Sequence, residues 1–177
     1  MFRQKPLEEA PLLSSDYYSL YKDLESVINS GIRVSNSIHS TLADWEGSNF
    51  TRRELQKTGA HTNYALSWVC TLTGLVLRPI DEPERIVLRD KIERSIRVIS
   101  KQKEQLEKLK SGNMPTVPDL VIEPQELARK LLKLHLQFST ACLRHKRSLH
   151  NVPKSNDVFT YADKNLKDAH VCINQVM

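Results

Sequence analysis

From Tyr17 to Trp45 the apolar residues return in alternating steps of three and four: Tyr17, Leu20, Leu24, Val27, Gly31, Val34, Ile38, Thr41 and Trp45. An α-helix turns once in 3.6 residues, so this rhythm lays one seam along one side of a rod. A strand would need alternation every second residue. Tyr21, Ile28 and Leu42 widen the seam into the broad face of a helix that packs against others. Ser14, Ser15 and Asp16 offer capping oxygens, so a helix from about Asp16 to Trp45 is predicted. Gly31 weakens it by about 1 kcal/mol relative to Ala but allows a second helix to come close.

The same rhythm returns along the chain. Thr51 with Glu54 reads as a capping box, and Phe50 with Leu55 as a hydrophobic staple, opening a second helix that runs to about Arg78. Its second half, Ala65 to Leu77, is apolar nearly all round and is expected to be the most buried element. The β-branched residues between Trp68 and Leu77 would also suit a strand, but no second strand exists to pair with it. A third helix follows Pro83 and runs to about Lys110. Leu88, Ile92, Ile96, Ile99, Leu106 and Leu109 form its stripe, and its Lys and Arg residues are interleaved with acids. A fourth runs from Pro124 to about His150 on Leu127, Leu131, Leu134, Phe138 and Ala141. A fifth begins near Ser155 and carries Val158, Ala162, Leu166, Ala169, Cys172 and Val176.

These signals predict an all-α fold, an up-and-down helical bundle of four to five amphipathic helices. Residues 1–13, with Pro6 and Pro11, read as a flexible tail. Residues 14–177 read as one helical-bundle domain, with an extended linker at 111–123 held by Pro115 and Pro118. A length of 177 residues suits such a domain.

No motif for catalysis is present: no glycine-rich phosphate loop, no nucleophile elbow and no Glu-x-x-His pair. Cys142 with His145, and His170 with Cys172, are too few for a zinc site, and the cysteines are expected to be core residues. The reading is therefore a non-enzyme with no metal and no cofactor. The three cysteines form no close pair, no secretory signal opens the chain, and no apolar run reaches the length of a transmembrane helix. These features place the chain inside the cell, in the cytoplasm or, through a short basic cluster, the nucleus.

The net charge is +5, and its distribution matters more than its size. Between Glu126 and Asp157 there is no acidic residue, while Arg129, Lys130, Lys133, Arg144, Lys146 and Arg147 fall in that span. These six are the candidate contacts to an anion or a nucleic-acid backbone. Tyr18, Tyr21 and Trp45 are the candidate aromatic anchors of a protein interface. The helix count and lengths resemble those of helical-bundle interaction modules. Two functions are expected in this order: a non-catalytic module that binds protein partners, either a second copy or another helical protein, and a nucleic-acid binder using the basic helix at 124–150.

Overall fold

The structure is a computed structural model that describes residues 14–43, 47–77, 83–110, 123–152 and 154–176. Among these residues the regular structure is helical throughout, with no strand. Six helical segments follow one another: α1 (Ser14–Ala43), α2 (Asn49–Leu77), α3 (Pro83–Lys110), α4 (Pro124–Arg144), α5 (Lys146–His150) and α6 (Ser155–Asn174). Four or five were expected. The fourth predicted helix breaks at His145 (φ −110°, ψ 22°), and the short α5 takes up its last turn. The tail at 1–13, Trp45, and the linker except Glu123 lie outside the described residues.

The α1 seam is buried as its spacing requires, with Leu20, Leu24, Val27, Val34 and Ile38 at most 4% exposed. At its centre a β-carbon added to Gly31 would stand 2.0 Å from Cδ2 of Leu66, so α1 and α2 cross there at a distance only glycine permits. Gly31 faces Leu66, Ser35 faces Asn63 and Ile38 faces Gly59, so the two helices run antiparallel. Trp68 on Tyr161 and His61 near Asn165 set α6 antiparallel to α2. Phe138 on Phe159 sets α4 antiparallel to α6. Lys130 near Ser37 and Gln137 on Ser26 set α4 antiparallel to α1. Helices α1, α2, α6 and α4 thus close a ring around the core, and α3 lies against both α1 and α2.

Two features depart from the sequence reading. First, α2 begins a turn earlier than Thr51: Ser48 is the cap, its Oγ accepting the Thr51 N–H at 3.2 Å. Phe50 is exposed while Leu55 is fully buried, so no staple joins them. Second, α2 is not buried all round in its second half, because Thr71 and Gly74 face outward. Its polar half is instead deeply packed, with Thr58 and Thr62 wholly buried. Each of their hydroxyls donates to the carbonyl four residues back, so burial leaves no unpaired donor. On α3, Ile92, Ile99 and Leu106 are buried, but Ile96 stands 44% exposed.

Candidate partner-binding face of the fourth helix

α4 turns Leu127, Leu131, Leu134, Phe138 and Ala141 into the core, each 3% exposed or less. At 100° per residue, Leu132, Leu136 and Leu143 fall on the opposite side and share one stripe. They are 45%, 57% and 74% exposed. A single exposed leucine is unremarkable, but three in register on one helix form a row. On α3 only Val87 and Val98 among the exposed apolar residues share a side, while Ile86 and Ile96 point to two others, so no row of three forms there.

The two flanks of the row differ in charge. On the α6 flank His135 Nε2 lies 2.7 Å from Asp163 Oδ1, and Lys167 lies 2.9 Å from the other oxygen. Burial raises the Asp163 pKa, but the hydrogen bonds and charges of His135 and Lys167 outweigh it and hold the carboxyl below its ordinary value. On the α1 flank Lys133 is exposed and Lys130 is half-buried, with Nζ 3.4 Å from Ser37 Oγ.

The six basic residues singled out in the sequence do not form one patch. Lys130 and Lys133 face the α1 seam, where Arg33 of α1 joins them, whereas Arg129 borders a hollow shared with His170 and Asn174 of α6. Sequence reading missed Arg33, because nothing in one chain's pattern says which α1 residue faces α4. Arg144 is tied inward: its Nη1 donates at 2.9 Å to Asp23 Oδ2, the same oxygen that lies 2.7 Å from His145 Nε2. Lys146 and Arg147 are exposed on α5, beyond the break and about 20 Å along the axis from Lys133 at 1.5 Å per residue.

The aromatic candidates also separate. Tyr18 is 56% exposed, with Lys22 Nζ 5.3 Å from its ring centroid. Tyr21 is wholly buried, and its hydroxyl donates to Glu25. It belongs to the core and has no outer surface to offer a partner. Trp45 lies outside the described residues.

Burial pushes the thiols of Cys70 and Cys142 up to about 12, and raises that of Cys172 as well. His145, the neighbour of Cys142 in the weak metal motif, spends its Nε2 on Asp23. No group of three or more His, Cys, Asp or Glu suited to a metal occurs among the described residues. No described helix is long and apolar enough to cross a membrane. No family model, curated protein or solved structure matches this chain, so its site is read from its own residues.

Proposed function

We propose that this chain is an up-and-down helical bundle that works, without catalysis of its own, as a protein-interaction module, and that its docking surface is the outer side of α4. One observation carries the reading: the row of Leu132, Leu136 and Leu143, exposed in register beside Arg129 and Lys133. Full burial of an exposed leucine supplies about 1.5–3 kcal/mol, and each of these half-exposed leucines forgoes roughly half of it or more. A partner helix with its own apolar stripe recovers that energy by laying its face along the row. The cations beside the row favour acidic residues on the partner. A second copy of the chain or another helical protein both satisfy these demands, in the manner of an adaptor or assembly factor. A cytoplasmic or nuclear setting accords with this reading.

A photo-crosslinking residue placed at 136 or 143 tests it, with the exposed position 101 on α3 as control. The expected outcome is protein adducts from 136 and 143 that withstand moderate salt, and none from 101. Equal adducts from all three positions contradict the reading.

The carboxylate-free span favours a second reading, nucleic-acid binding through Arg129, Lys130, Lys133, Lys146 and Arg147. Phosphate-driven binding falls by orders of magnitude between about 50 and 200 mM salt, and helix docking does not. The leucine row between the cations and the engagement of Arg144 by Asp23 weigh against it. Glutamate at Lys146 and Arg147 abolishes oligonucleotide binding if this reading holds; unchanged binding excludes it.

A further inference from the structure

At the seam of α1 and α4, beside the leucine row, the surface sinks into a depression of about 200 Å³. Its lining carries three cations, Arg33, Lys130 and Lys133, together with the neutral Ser30 and the buried Val34 and Leu134. None of the three cations meets a carboxylate at ion-pair distance among the described residues. The same molecule ties other basic side chains of this face down: Arg144 to Asp23 and Lys167 to Asp163. Three positive charges around one hollow repel one another, and an anion seated among them removes that repulsion. The half-buried Lys130 and the apolar Val34 and Leu134 hold water back from part of the site, which strengthens the attraction. Arg33 supplies a planar fork able to take two oxygens of one anion, and the lysines act as point charges.

The geometry points to an oxyanion site in this hollow for a doubly charged phosphate, either inorganic phosphate or a phosphate monoester. The site shares Lys133 with the docking face but goes beyond the function proposed above, since it needs no helical partner.

The test is an NMR titration of the full chain at fixed ionic strength and pH. One arm uses inorganic phosphate and a parallel arm uses O-phosphoserine, with chloride as the reference anion and dimethyl phosphate as a singly charged control. The expected result is saturable shifts at residues 30–34 and 130–134, with dimethyl phosphate weaker by about tenfold. Saturation with inorganic phosphate alone assigns the free ion; saturation in both arms assigns the monoester as well. Lys130→Gln with Lys133→Gln weakens binding by about tenfold or more, and Arg33→Gln, at an exposed side chain, does so independently of any folding defect in the double variant. Shifts that chloride reproduces, that spread evenly to Lys146 and Arg147, or that survive these substitutions overturn the assignment.

Discussion

The imidazole of His39 bridges to Gln102 across the seam between α1 and α3. Its Nε2 lies 2.8 Å from the main-chain carbonyl oxygen of Gln102, and its Nδ1 lies 2.7 Å from the main-chain carbonyl of Ser35 on its own helix. The ring is 1% exposed. A neutral imidazole carries one N–H and donates to one of these oxygens, whereas an imidazolium donates to both. The Gln102 side chain repays the contact, its Nε2 donating to Asn36 Oδ1 at 2.6 Å and to the Ile32 carbonyl at 3.3 Å.

This exchange fastens the least apolar of the long helices. His39→Leu and Gln102→Leu are each expected to lower stability by about 1–3 kcal/mol, since each leaves buried polar groups without partners. Amide exchange in both variants is expected to quicken first in α3. Exchange that rises evenly through all helices contradicts the clamp.

Two glycines are expected to respond in opposite directions. At Gly31 a new methyl meets Leu66 Cδ2 at 2.0 Å and Cγ at 3.0 Å, and Leu66 is itself 1% exposed. Gly31→Ala therefore costs about 1–3 kcal/mol from overpacking, more than the gain in helix propensity returns. Gly74 has nothing within 4 Å of the added carbon, so Gly74→Ala stabilises by about 0.5–1 kcal/mol. Thermal midpoints that move the same way for both variants contradict the assigned α1–α2 crossing.

The α1–α2 crossing also shows how far the sequence could be read. The three-four rhythm located every long helix to within a few residues, because a buried seam must recur at the helical period wherever a helix packs. It identified Gly31 as a point of close approach. It could not identify His39, Gln102 or Ser35 as buried, because the first two depend on α3 lying over α1 and Ser35 on its pairing with Asn63 of α2, tertiary facts with no local signal. Thr58 and Thr62 were hidden for a related reason: their hydroxyls are satisfied within their own helix, so they occupy core positions while looking polar. The capping box at Thr51 failed because Ser48 stood nearby as a competing cap. The candidate site was half legible. The acid-free span marked α4, but its outward leucines were overlooked beside the charges, and Tyr21 was assigned to a surface when its place in the seam buries it.

The pair of Asp163 and His135 gives the α4–α6 seam a dependence on pH. The Asp163 carboxyl is held below its ordinary value of 3.8. A carboxyl depressed on folding stabilises the native state above the unfolded value, and that contribution is lost as pH falls through the folded value. The thermal midpoint is thus expected to drop below about pH 4 by more in the native chain than in Asp163→Asn, which starts lower at neutral pH. Parallel acid profiles for the two proteins would exclude the ion pair as a source of stability.

The leucine row carries the central claim, and its removal from the apolar side is the most direct test. Leu136→Gln with Leu143→Gln alters two side chains that are 57% and 74% exposed and support no buried contact in the core. The unfolding free energy is expected to stay within about 0.5 kcal/mol of the native value. Partner association, measured by quantitative co-purification and by light scattering for self-association, is expected to be lost. Association that persists at native strength in a folded double variant would contradict the assignment of this face.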